Sequence, residues 1–156
     1  MITISGKSVF GGVSIGKLLF YQRNNKVIKR THIDDVDAEW KRFQEAKDTA
    51  VDQLKGLYEK ALADVGEANA MIFEIHQMML EDLDYLESIE NIIRTQEVNA
   101  EYAVATTSDN FAQMFAAMDD AYMQGRAADV KDVSERVLDI LSGADTGLKE
   151  MTEPCI

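Results

Sequence analysis

From Asp34 onward the apolar positions of this chain recur every three to four residues, the period of a helix. Val36, Trp40, Phe43, Ala50, Leu54, Leu57 and Ala61 fall at spacings of three, four or seven, interrupted on that seam by Lys47. They predict one long helix with Asp34 as its N-cap, ending near Val65–Gly66, where glycine tolerates a left-handed turn. A second helix is expected from about Glu67 to Leu80, resuming from Leu83 to Arg94 after a kink at Glu81–Asp82. Asn99 is expected to cap a third, with Ala103, Thr107, Phe111, Met114 and Met118 as its stripe. A fourth runs from about Asp120 to Leu141, turning Met123, Ala127, Val130, Val133, Val137 and Leu141 inward and stopping at Gly143. Four helices joined by short links predict a mainly α fold, an antiparallel four-helix bundle or paired helical hairpins.

Ahead of the helices the pattern differs. Residues Ile2 to Tyr21 are β-branched and punctuated by glycine, with Lys7–Phe10 and Lys17–Tyr21 as short strand candidates around Gly11–Gly12. After Gly143 the chain is polar up to Pro154-Cys155-Ile156. A compact domain usually ends after an element with a packing role, so the chain is expected to stop within a longer protein, its N-terminal strands short of partners.

Within the second helix, the segment Ile72–Asp82 is more apolar than a single core contact requires. At about 100° per residue, Ile72, Phe73, Ile75, Met78, Met79 and Leu80 cover well over half the circumference. The surplus meets either a neighbouring helix or a partner, and methionine suits a partner site because its flexible, polarizable side chain re-packs against different surfaces. Periodicity leaves both readings open.

Charge narrows the choice of partner. With 28 acidic and 16 basic side chains in 156 residues the formal net charge is -12, which repels phosphate backbones and anionic lipid and favours a basic protein face. Nucleic acid and membrane surfaces are therefore not expected partners. No apolar run approaches the ~20 residues of a membrane span, the start of the chain lacks a signal-peptide layout, and the one cysteine, Cys155, has no internal disulfide partner. A cytoplasmic location is the expectation.

Candidate chemistry is sparse. Gly11-Gly12-Val13-Ser14-Ile15-Gly16-Lys17-Leu18 follows the frame of a phosphate-binding loop, but Leu18 replaces the hydroxyl that holds magnesium, and Leu19-Phe20-Tyr21 favours a strand where a helix N-terminus is needed. A calcium loop starting at Asp35 meets Trp40 at its glycine position and Ala46 at its glutamate position, so helix capping is the better reading of these acids. The two histidines, His32 and His76, belong to no metal-ligand spacing. His76 lies inside an apolar arc and reads as a packed side chain with a local hydrogen bond. No catalytic residue, metal site or cofactor site is expected in this chain.

Tyr122, Arg126 and Asp129 stand at i, i+4 and i+7 on one predicted helical face near Met123. They form either a solvated ion pair or, beside an exposed methionine ledge, the aromatic-plus-arginine chemistry of an interface anchor.

Ile72-Phe73-Glu74-x-His76-x-Met78-x-Leu80-x-Asp82, and Tyr122 followed by Arg126-Ala127-Ala128-Asp129-Val130, resemble the amino-terminal helical region of Enzyme I, the phosphoenolpyruvate-protein phosphotransferase of the bacterial sugar phosphotransferase system. The opening turn with Gly16-Lys17 is similar to that family's first strands, with Phe10-Gly11-Gly12 where Ser-Pro-Gly is usual. The resemblance implies a helical domain inserted into a split α/β phosphohistidine domain. Residues 1–30 would be the leading strands, 31–143 the helical domain, and 144–156 the return, with Glu153-Pro154-Cys155-Ile156 similar to the family's Glu-Pro-x-Ile. Neither histidine matches the family's phosphorylated segment, so the fragment would bind without catalysing. Magnesium and a homodimer would belong to the parent and a monomer to the fragment.

The resemblance also implies a partner, the histidine-containing phosphocarrier HPr, whose docking face is basic and apolar. By motif, Met78, Met79, Asp82 and Arg126 match the docking surface best, joined by Glu67, Asp84, Phe115, Tyr122 and Met123. The parent would pass phosphoryl from phosphoenolpyruvate through its own histidine to HPr for sugar uptake. The alternatives are a stand-alone helical protein-binding adaptor using the same ledge and a nitrogen-branch regulatory paralogue of Enzyme I.

Overall fold

The computed structural model describes residues 27–143, together with Gly6, Gly11, Val13 and Ile15. The strand candidates, the glycine–lysine loop apart from Gly11, Val13 and Ile15, and the C-terminal return therefore lie outside the described residues. The chain divides into two compact units, Met1–Lys26 with Gly147–Ile156 and Val27–Thr146. The second unit holds five helices: α1 (Val36–Val65), α2 (Glu67–Leu80), α3 (Leu83–Gln96), α4 (Ala100–Ala116) and α5 (Ala121–Leu141). Its closest pairings are α1 with α2 and α4 with α5, two hairpins bridged by α1 on α5 and α3 on α4. No helix among the described residues is long and apolar enough to cross a membrane.

Each helix boundary has a local chemical cause. Asp35, one residue beyond the expected Asp34, caps α1 by accepting from the Ala38 amide at 2.9 Å. Gly66 separates α1 from α2 at φ +86°, a backbone region that L side chains rarely adopt, and Asn69 Nδ2 donates to the freed Val65 carbonyl at 3.0 Å. The expected kink at Glu81–Asp82 is a full break, which makes five helices of the four expected. Asp82 Oδ1 accepts from the Tyr85 amide at 3.0 Å and starts α3 as a separate helix. Asp120 starts α5 in the same way, accepting from the amides of Tyr122 and Met123.

The start of α4 is the exception. Asn99 occupies the N-cap position but makes no side-chain capping bond to its own helix. Its Oδ1 instead accepts from the Thr31 amide at 2.9 Å and its Nδ2 donates to Glu101 Oε2 at 2.9 Å. The orphan amide of Ala100 is taken by Glu39 Oε1 of α1 at 2.6 Å. Around this point residues 31–33 run beside 97–99, with an antiparallel bridge between His32 and Val98 and a hydrogen bond from the Ile33 amide to the Glu97 carbonyl.

The core forms where the helical stripes meet. Phe43 and Leu54 of α1, Leu80 of α2, Ile89 and Ile93 of α3, Val104 of α4 and Val133 and Val137 of α5 are buried, and Trp40 stacks on Phe43 with ring centroids 5.1 Å apart. The wide arc of α2 is divided. Leu80 is fully buried and Phe73 and Met79 pack against the core, while Met78 stays 67% exposed.

One charged network ties α1, α4 and α5. Arg42 donates to both oxygens of Glu39 and of Glu101, and to the Leu141 carbonyl at 3.3 Å. Burial raises the Glu101 carboxyl, but hydrogen bonds from Arg42, from its own backbone amide and from Asn99, with the charge of Arg42, outweigh burial and hold it below the usual range. A depressed carboxyl contributes stability above its unfolded value, about 4.3 for glutamate, and loses that contribution as pH falls through the folded value. Thermal melts of the chain and of Glu101→Gln are therefore expected to differ most near pH 7 and to converge toward pH 3. Parallel curves across that range would remove Glu101 from the acid sensitivity.

Candidate docking groove

Four helices converge on a groove of about 470 Å³. From α2 come Ile75, Met78 and Met79, followed by Asp82 at the break; from α3 come Asp84 and Tyr85. The α4 side contributes Phe111, Met114 and Phe115, and α5 contributes Tyr122, Arg126, Val130 and Val133. The arrangement follows from the break at Glu81–Asp82. It starts α3 as a separate helix, and α3 and α5 each pack on both α2 and α4, so that side chains of α2 and α4 line one groove.

Every site residue expected from the sequence lines this groove except Glu67 and Met123. Glu67 sits exposed in the first turn of α2, and Met123 is half-buried on α5 outside the lining. Asp82 has two tasks, capping α3 and standing at the groove edge. The residues that sequence reasoning omitted are Ile75, Tyr85, Phe111, Met114, Val130 and Val133. Part of the floor they build is an aromatic row in which Tyr85 meets Phe111 edge-on at 5.8 Å and Phe111 meets Phe115 at 6.3 Å. The i, i+4 spacing of Phe111 and Phe115 was the available signal; nothing in the sequence joins them to Tyr85.

Polar groups are concentrated at two places. Tyr85 is buried and its hydroxyl pairs with Ser134 Oγ at 2.7 Å; burial, partly offset by that hydrogen bond, pushes the phenol up to about 12, so it stays neutral. On α5, Arg126 Nη1 donates to Asp129 Oδ2 at 3.1 Å, Nη2 donates to the Tyr122 hydroxyl, and the guanidinium lies 4.5 Å from the Tyr122 ring centroid. The side chains of Arg126 and Asp129 are 15% and 18% exposed, so this is a partly buried cluster and not a solvated surface pair.

His76 is packed as expected, but its Nε2 is buried without a hydrogen-bond partner and faces Asp129 Oδ1 at 3.5 Å. His32 stands on the bridge near Asp34 and Glu97, away from the groove lining. Among the described residues no group of three or more His, Cys, Asp or Glu could hold a metal ion. No reaction step is assigned to these side chains.

Residues 5–126 match the family described as PEP-utilising enzyme, N-terminal. The chain belongs to this family. It is 38% identical over 140 residues to the phosphoenolpyruvate-protein phosphotransferase of Listeria monocytogenes serovar 1/2a, covering 90% of this chain and 24% of that protein. With the enzyme of the same name from Bacillus subtilis (strain 168) it shares 35% identity over 145 residues, 93% of this chain and 25% of the relative. The chain thus spans about a quarter of the length of the curated relatives it matches. An NMR solution structure of Enzyme I (nEIt) superposes with a TM-score of 0.80 at 30% identity, covering 90% of this chain and 58% of that one. The N-terminal domain of Enzyme 1 - Nitrogen superposes at 0.71 with 25% identity, covering 78% and 50%. Together these likenesses mark the chain as an N-terminal stretch of the Enzyme I kind.

Proposed function

We propose that the helical unit docks HPr, within a parent phosphotransferase that carries phosphoryl from phosphoenolpyruvate through its own histidine to HPr for sugar uptake. The observation that carries this reading is the convergence of Met78 and Met79, Asp82 and Asp84, Phe115, and Tyr122 with Arg126 on one groove. Its apolar floor supplies burial, its acidic edge orients a basic partner, and a cation beside an aromatic ring supplies directed hydrogen bonds. In this reading the fragment acts as a monomer in the cytoplasm, residues outside the helical unit belong to the α/β phosphohistidine domain, and magnesium and dimerisation belong to the parent. The sugar branch is preferred over the nitrogen branch because both identity and TM-score are higher for the Enzyme I structure than for the nitrogen enzyme's domain.

The test is a titration of HPr into the isotope-labelled chain. Shifts confined to the groove residues support the reading. An unperturbed groove at saturating HPr overturns it and leaves the adaptor reading, in which an unrelated protein uses the ledge.

Charge makes a second expectation. With a net charge of -12 and two carboxylates at the groove edge, association with HPr is expected to slow as salt rises, because exposed charges are screened beyond about 8–10 Å at 0.10–0.15 M salt. Stopped-flow association rates at low and high salt read this directly, and equal rates would leave the acids a purely solubilising role.

A further inference from the structure

Behind the groove, a line of polar contacts runs from α2 to the ring of Tyr122. His76 is 13% exposed and presents its partnerless Nε2 to Asp129 Oδ1 at 3.5 Å. The other oxygen of Asp129 accepts from Arg126 at 3.1 Å, and Arg126 in turn donates to the Tyr122 hydroxyl. Asp129 and, through it, Arg126 are the charged groups that α5 turns toward His76. Among the described residues, α1, α3, α4 and the rest of α2 place no carboxylate within ion-pair distance of its ring.

A carboxylate shared in this way has two possible cationic neighbours and one negative charge. While His76 is neutral, Asp129 is held chiefly by the guanidinium. An imidazolium attracts Oδ1 strongly in a partly buried setting, and Asp129 can then approach α2 only by loosening its bond to Arg126. Histidine is the side chain whose ordinary titration falls between about pH 5 and 8.

We propose that His76 and Asp129 are positioning residues for Arg126. With His76 neutral, Asp129 keeps the guanidinium folded against Tyr122. Protonation of His76 draws Asp129 toward α2 and frees the guanidinium to make paired hydrogen bonds to an anionic group, carboxylate or phosphoryl, on a docked partner. The role of the freed guanidinium rests on the docking reading. The coupling between His76 and Arg126 does not.

The experiment follows the Arg126 Nε–H and the His76 ring by NMR in the free 156-residue chain from about pH 5 to 8, with His76→Gln and Asp129→Asn alongside, and then measures HPr affinity at both ends of that range. In the unsubstituted chain the Arg126 signal should titrate with the His76 midpoint, and in both variants it should be flat. HPr affinity should change roughly three- to tenfold more across the range for the unsubstituted chain than for His76→Gln, the scale of one net hydrogen bond rearranged. HPr's own titrating groups are common to both measurements. An Arg126 signal that ignores the His76 titration, or that moves equally in His76→Gln, overturns the proposal from the free chain alone. Failure of HPr to bind at any pH overturns the docking reading, while an Arg126 signal coupled to His76 still supports the positioning of the guanidinium.

Discussion

Truncating Met78 to alanine is expected to weaken HPr binding by roughly 10- to 100-fold while leaving the melting temperature almost unchanged. Met78 is 67% exposed and lines the groove, so most of its apolar surface is still in water before a partner arrives. Burying a methionine contributes about 1.5–3 kcal/mol, and 1.4 kcal/mol is a factor of ten in affinity. The loss should appear chiefly as faster dissociation, because local contacts hold a formed complex more than they guide its formation. Stability should change by less than about 0.5 kcal/mol, as for exposed sites in general. HPr titrations and thermal melts of the same preparation check both halves. A protein that melts much earlier yet binds HPr normally when folded would move Met78 from the docking surface to the core.

Two residues further along, the expected result reverses. Leu80 is fully buried among the core side chains, so Leu80→Ala should cost about 2–5 kcal/mol of stability. In a chain of this length that lowers the melting temperature by roughly 4–20 °C. HPr affinity of the folded protein should stay within about twofold, because Leu80 is absent from the groove lining and packs in the core, whereas surface contacts carry binding. Denaturant melts with HPr titrations below the transition measure both quantities. If Leu80→Ala lost affinity without losing stability, the division of the α2 arc would be wrong.

The contrast between Met78 and Leu80 shows where sequence reasoning stopped. Periodicity placed Phe43, Ala50 and Leu54 of α1, and Val130, Val133 and Val137 of α5, on inward faces, and all six are buried. It located the helix ends at Gly66 and Asp120 as well, because those signals act within a few residues of the chain. The arc of α2 was legible as too wide, but which edge would be covered was not. That depends on where α3, α4 and α5 pass, and Met78 and Leu80 are both apolar side chains that suit either edge.

Local rules misled where a distant partner offered a better bond. Asn99 has the right residue type at the right position for an N-cap, yet its side chain accepts from Thr31 and donates to Glu101, while Glu39 of α1 takes the first amide of α4, that of Ala100. The break at Glu81–Asp82 was visible only as a kink, since the acid that caps α3 stands where an acid on the exposed face of an unbroken helix would also stand. The solvated reading of Arg126 and Asp129 failed for the same reason. Their spacing was plain, but the cover that leaves them 15% and 18% exposed comes from tertiary packing.

The sequence by itself determined what acts at short range: the helices, their caps, the acidic balance and the motifs that mark the family. Tertiary structure decided the groove. Met78, Tyr85, Phe115 and Arg126 come from four helices separated by several turns and breaks, and no local period fixes their distances. Those distances come from core packing, where Leu80, Ile89, Val104 and Val133 set how closely each helix approaches the next.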